Sequence, residues 1–190
     1  MKQFCKLLLS FAPWVAFLAI AHGSLLRLKV GLVVAAVLSV AMAVLRLHRG
    51  VILWVGSAFF AYASVAVLGF EHMWTINNMA ILAHAALALG IWITLFLGRP
   101  FTLEYARENI DPSLWQHPVF LRTNRILTSV WGAVFTINTV VAWLKTHDKS
   151  LPWWGYEVAS NAFLLSAIVV SSVYPELVKR RRQTHTAQAG

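Results

Sequence analysis

Residues 79–97 read MAILAHAALALGIWITLFL, nineteen consecutive positions without a Lys, Arg, Asp or Glu. At 1.5 Å per residue, a helix of this length matches a hydrocarbon core about 30 Å thick. Within lipid every backbone N–H and C=O must be satisfied inside the segment, and a run this long and continuously apolar does not suit a barrel strand, so it reads as a transmembrane α-helix. Five further runs have the same character: Phe4 to Ala21, Val30 to Leu47, Val51 to Phe70, Ile126 to Leu144 and Val158 to Tyr174. The predicted fold is all-α, a polytopic transmembrane helix bundle of six spans. Five spans are the alternative, because His22-Gly23-Ser24 and the cations Arg27 and Lys29 crowd the first two runs, and the first would then lie in the membrane interface.

The composition agrees with this class: 59% of residues are hydrophobic, 12% are charged, and the mean hydropathy is +0.67. Spans and short connections claim nearly all of the 190 residues, so residues 1–182 form one membrane domain with no room for a separate soluble one. A net charge of +9 would suit a nucleic-acid binder if it lay along one soluble face. Here the cations sit at span ends, where they set topology and meet anionic headgroups, so the expected partner is the phospholipid bilayer and not nucleic acid. Cys5 is the only cysteine, which excludes an internal disulfide and a thiolate metal cluster. Lys2 and Lys6 before a run ending Ala19-Ile20-Ala21 imitate a secretory signal. Pro13 and Trp14 in mid-run, and the prompt start of the next run, favour a retained helix.

With both termini in the cytoplasm, the inner side carries Lys2, Lys6, Arg46, Arg49, Arg99, Arg107, Arg122, Arg125, Lys179, Arg180, Arg181 and Arg182. The outer side carries Arg27, Lys29, Lys145 and Lys149. This asymmetry is what the positive-inside rule demands. Trp74, Trp153 and Trp154 then mark the outer interface and Trp115 the inner one. The polar tail, Gln183 to Gly190, is expected to be disordered.

One connection is long enough for structure of its own, residues 98–125 on the cytoplasmic side, GRPFTLEYARENIDPSLWQHPVFLRTNR. Thr102 is a candidate N-cap, Glu104 and Glu108 share a helix face with Arg107 near them, and Asp111-Pro112 supplies a second start signal. Leu114, Trp115, Val119 and Phe120 are expected to press into the headgroup boundary while Arg99, Arg122 and Arg125 reach phosphates, making a short interfacial segment. The competing reading is a solvated elbow.

Polar side chains within spans are costly, so Asn138 and Asn161 stand out. Their predicted depths differ by about 3 Å at 1.5 Å per residue, which would let the amides bond across a helix pair. Ser129 with Ala133, and Ala86 with Gly90, are small pairs at four-residue spacing that would allow close helix approach. Seven histidines raise a haem or metal possibility, but only His84 lies within a span, with no HExxH, no Cys pair and no second His at equal depth. No cofactor is therefore assigned. Glu104, Glu108, Asp111 and His117 offer acid–base groups without a nucleophile motif, so no enzyme activity is assigned either.

The order of several short motifs resembles the bacterial septation protein A family of YciB-type inner-membrane proteins. They are the opening MKQF, the basic knot Leu45-Arg46-Leu47-His48-Arg49, Gly69-Phe70-Glu71-His72, Gly98-Arg99-Pro100-Phe101, Pro118-Val119 through Asn124 with Trp131, and Trp154-Gly155-Tyr156-Glu157. This chain departs from the family pattern in a longer loop after span four, in Phe120-Leu121-Arg122-Thr123, and in the basic cluster after Tyr174-Pro175. The resemblance implies an inner-membrane protein supporting envelope integrity and septation through envelope-synthesis or division proteins, or through lipid homeostasis. The alternative is a small transporter or lipid-handling protein using Asn138, Asn161 and the inner loop, for which a water-accessible cavity lined by those polar groups is the distinguishing feature.

Overall fold

In the computed structural model the described residues are 11–21, 23–45, 50–107, 110–148 and 152–188, and among them the regular structure is entirely helical. Helix α1 spans Ala12–Ile20, α2 Leu25–Val44, and α3 Val51–Ser64, the last continued by a π-turn over Val65–Gly69. The short α4 (Met73–Asn77) leads into α5 (Met79–Phe96). After α6 (Thr102–Arg107) and a 3₁₀ turn at Pro112–Leu114 come α7 (Pro118–His147) and α8 (Trp153–Gln188). Five helices, beginning with α2, α3, α5, α7 and α8, are long and apolar enough to cross a membrane. The molecule is a multi-pass helical bundle.

Local chemistry sets the ends. Ser24 caps α2 by accepting from the Arg27 N–H at 3.2 Å, which starts this helix five residues before the predicted Val30. Gly98, at φ +70°, terminates α5 in a Schellman turn: its N–H bonds the Leu95 carbonyl and the Arg99 N–H bonds that of Thr94. His117 caps α7 through Nδ1, 3.2 Å from the Val119 N–H, and Pro118 takes the first helical position, where its missing N–H costs nothing. Helix α7 thus begins eight residues before the predicted Ile126 and takes the last third of the predicted loop with it. Helix α8 likewise runs past Tyr174, through Pro175, to Gln188, where the sequence reading expects no regular structure. Between Pro175 and the helix end at Gln188 there is neither Gly nor a second Pro to stop it.

The five spanning helices among the described residues match the alternative count of five, and α1 is not one of them. As described it has nine residues covering about 14 Å, less than a span, and the start of the predicted run at Phe4 lies outside the described residues. Trp14 and Phe17 are 4% and 3% exposed, and the helix is wedged into the bundle. Trp14 packs on Phe59 and Phe60, at 5.0 and 4.8 Å between ring centres, while Phe11 stacks on Trp131 at 5.5 Å.

The long helices pack in the order α2, α3, α5, α7, α8, with α1 against α2. In lipid the tails compete equally for apolar side chains, so close fit carries the association. Three glycines supply it. Trp14 of α1 lies over Gly56, Val55 over Gly90, and Trp92 over Gly132, each in space a Cβ would claim. The predicted Ala86 and Gly90 pair therefore contains a true contact, whereas Ser129 with Ala133 does not. Ala133 is exposed, Ser129 bonds back to the Arg125 carbonyl, and the close approach falls one residue earlier, at Gly132. Outward-facing apolar residues remain, among them Val33, Val37, Val40 and Val44 on α2, as a membrane-facing surface requires.

Candidate functional site

The bundle has two chemically different ends. At one, called here the basic end, lie Arg99, Arg107, Arg122, Arg125 and Lys179; at the far end lie Arg27, Lys29 and Lys145. Both ion pairs found among the described residues are at the far end, Lys29 with Glu71 and Lys145 with Glu157. Glu71 sits at φ +45°, a conformation uncommon for a residue with a side chain. The bond and charge of Lys29 hold its carboxyl below the usual range.

At the far end a cavity of about 460 Å³ opens between helix termini. Its walls are built from small and apolar side chains. The α1–α2 elbow supplies Phe17, Leu18, Leu25 and Leu28, and the first turns of α5 supply Met79, Ala80, Ala83 and His84. Val141, Ala142, Lys145 and Thr146 come from the last turns of α7, and Tyr156, Glu157 and Ser160 from the start of α8. The alanines leave the volume unfilled. The Lys145–Glu157 pair ties the end of α7 to the start of α8, and the Tyr156 hydroxyl donates to the Asp148 carbonyl at 2.8 Å to close the same turn.

Just beneath this space lie two polar groups without complete partners. Asn138, one helical turn below Ala142, is fully buried; its Nδ2 donates to the Ser160 carbonyl at 3.4 Å, while Oδ1 is unpaired. His84 lines the cavity, and its buried Nδ1 is also unpaired; its ring lies 6.2 Å from that of Phe135 on the same face of α7 as Asn138. A buried unpaired polar atom costs about 1–3 kcal/mol, so this region is polarised without being satisfied. Among the described residues no group of three His, Cys, Asp or Glu side chains could hold a metal ion. The arrangement suits binding: an apolar chamber, a rim with both signs of charge, and hydrogen-bonding groups at its base.

The predicted amide pair across the helices does not form. Asn138 reaches the α8 backbone as its depth requires, but Asn161 is exposed and donates to the Glu157 carbonyl on its own helix at 2.8 Å. The two sit on faces of the helices that do not meet.

The predicted surface loop is also rebuilt. Its first part docks into the bundle, with Phe101, Thr102, Leu103 and Tyr105 all buried. Thr102 is no cap; its hydroxyl donates to the Asn124 carbonyl at 2.9 Å and lies 3.0 Å from the Thr128 hydroxyl. Glu104 does not balance its own helix face. It crosses to α3 and accepts from the Val51 N–H at 3.1 Å, filling a donor that the helix start leaves open. Partial burial raises its carboxyl above the ordinary range, and the Val51 bond opposes that shift. Glu108 lies outside the described residues. Trp115 is half-buried against its own loop: Nε1 donates to the Ile110 carbonyl at 3.1 Å and the Arg107 guanidinium lies 5.4 Å from the ring centre. The Ser113 side chain and, less strongly, the Ser113 N–H hydrogen-bond the Asp111 carboxylate and lower its carboxyl, and His117 serves as the α7 cap. Arg99, Arg122 and Arg125 are exposed at the basic end, where headgroup contact was expected of them.

The remaining histidines are dispersed. His72 Nδ1 is 2.8 Å from Thr75 Oγ1, which in turn is 3.2 Å from the Tyr62 hydroxyl; His147 stacks on Trp143; His22 lies outside the described residues. Lys145 and Glu157 were invisible to the sequence reading as a functional pair. The signal was present in the opposite charges that flank the connection between α7 and α8, beside alanines at 80 and 83 on α5.

Comparison of the chain with protein-family models, with curated proteins and with solved structures finds no match in any of the three. What the fold and cavity define is a class: a multi-pass α-helical membrane protein with a chamber open at one end of its bundle.

Proposed function

We propose that this protein handles a small amphiphilic molecule at the membrane, binding it in the far-end cavity for transfer or presentation. The observation that carries this reading is the cavity itself, whose mostly apolar walls also carry an ion pair, Ser24, Asn77, Thr146, Ser160 and His84. A bundle serving only as a scaffold has no use for such a chamber. Neither Asn138 nor Asn161, the amides expected to line a transport cavity, is among its lining residues, but a chamber of this chemistry still supports the lipid-handling or transport alternative of the two roles weighed from sequence. The envelope and septation role implied by the family resemblance would then act through lipid homeostasis. The excess of cations at the basic end supports, by the positive-inside rule, a cytoplasmic basic end and a cavity on the outer side of a bacterial inner membrane.

The test is deletion in the native cell with lipid and peptidoglycan-precursor profiling and imaging of cell shape. An altered lipid or small-solute profile, restored by the wild-type chain but not by Ala80→Trp, is expected. Misshapen cells with an unchanged profile, rescued equally by both chains, would instead assign a scaffold role.

A further inference from the structure

The chemistry of the rim narrows the class of molecule that the chamber takes. Lys145 and Glu157 are each about 40% exposed at their side chains, 39% and 43%, so the pair faces the opening and is not sealed in the core. Exposed pairs of this kind contribute little to stability, too little to explain their position by folding alone. The pair has a clear consequence for a ligand. A net-anionic headgroup that engages Lys145 strands the Glu157 carboxylate, and a net-cationic one that engages Glu157 strands the Lys145 ammonium. A zwitterion instead exchanges one ion pair for two.

The walls indicate where the rest of the molecule lies. Leu18 and Leu25 line the chamber and are also 43% and 42% exposed, so the chamber communicates with the apolar outer surface of the bundle. The start of α2 and the start of α8 face each other across this gap, and no extensive packing joins the two helices among the described residues. Exposed Trp74, Trp153 and Trp154 lie at the same end, the level at which indoles meet headgroups. An opening at headgroup depth, apolar on its bilayer side and charged at its rim, fits a lipid that enters sideways.

We infer that the cavity binds the headgroup of a zwitterionic phospholipid, with its phosphate on Lys145, its ammonium on Glu157 and its acyl chains leaving between α2 and α8. His84, deeper on α5 with an unpaired ring nitrogen, is placed to meet the ester region below the phosphate. This rests on the cavity reading of function and adds the identity of the headgroup.

The full chain, purified in mild detergent, can be offered dihexanoyl phosphatidylethanolamine, dihexanoyl phosphatidylglycerol or glycerophosphoethanolamine, with bound ligand counted by native mass spectrometry. The wild type is expected to prefer the ethanolamine lipid over the glycerol lipid by about tenfold, and Glu157→Gln to shift that ratio toward the anionic lipid by about the same factor. The double exchange Lys145→Glu with Glu157→Lys keeps one charge of each sign and should retain the preference. Ala80→Trp and Thr146→Trp, both at exposed lining positions, should abolish binding of both lipids without changing the helical circular dichroism. If these filling variants abolish binding but Glu157→Gln leaves the lipid ratio unchanged, the headgroup assignment is wrong and the cavity reading stands. If neither filling variant reduces binding, the cavity reading itself fails. Glycerophosphoethanolamine bound as tightly as the acylated lipid would overturn the assignment to a lipid in favour of a free zwitterion.

Discussion

Gly90 and Gly132 show how little side chain this bundle tolerates at its closest crossings. A Cβ at position 132 would come within 2.9 Å of the Trp92 indole, and one at position 90 would run into Val55. Overpacking of this kind costs about 1–3 kcal/mol, so Gly90→Ala and Gly132→Ala should each lower Tm in detergent while Gly69→Ala, with open space around it, should not. Equal Tm values for all three would show that the helices can part without cost. Glu104 provides a residue-scale prediction in pH. Its carboxyl is raised in the fold, chiefly by burial, so the charged form is the disfavoured one. The contribution to stability is therefore fully present below the unfolded value near 4.5 and lost as pH rises through the raised folded value. Relative to Glu104→Gln, which does not titrate, the wild type should gain Tm as pH falls from 7 toward 4.5. A difference that stays flat across this range, or runs the other way, would remove the burial argument.

Among the elements, α6 departs furthest from its sequence expectation. Its register looks amphipathic enough for a membrane surface, yet Phe101, Thr102 and Tyr105 are turned inward and the Thr102 hydroxyl is satisfied by α7. Losing that buried bond costs about 1–3 kcal/mol if the Asn124 carbonyl and Thr128 hydroxyl are left without a partner. Phe101→Ala with Thr102→Val should accordingly expose the loop after α5 to limited proteolysis, while Trp115→Ala with Arg122→Glu should not. Cleavage in the second variant and protection in the first would restore the surface-bound loop. Helix α8 is the opposite case: it meets the bundle along one narrow face, through Tyr156 and Ala167, and by the bond from Trp131 Nε1 to Ser171 Oγ at 2.9 Å. At 36 residues it is about 54 Å long, well beyond the hydrocarbon core, so its last turns extend past the basic end.

For the whole molecule, alternating directions of α2, α3, α5, α7 and α8 put the connection before α8 and the stretch after it on opposite faces. Reporters placed after Lys149 and after Arg182 should therefore report opposite sides, with the second in the cytoplasm if the cations orient the chain. Finding both on one side would mean that α8 does not cross. Among the described residues the ion pairs of Glu71 and Glu157 both lie at the far end.

The sequence by itself determined the helical class, the membrane as solvent, and four of the long helices to within a turn at one or both ends. These depend on apolar content over some twenty residues and on caps such as Ser24 and Gly98, which are local properties. It also singled out Asn138 and His84, because a polar residue in an apolar run is visible in one dimension. Only the tertiary structure decided that α1 is a wedge, that Asn138 bonds to Ser160 and not to Asn161, and that Lys145 and Glu157 guard a chamber. Which face a helix turns toward its neighbour is not written in a run that is apolar all round. In lipid that choice falls to the fit of individual shapes, Trp14 on Gly56 or Trp92 on Gly132, contributed by residues far apart in the chain.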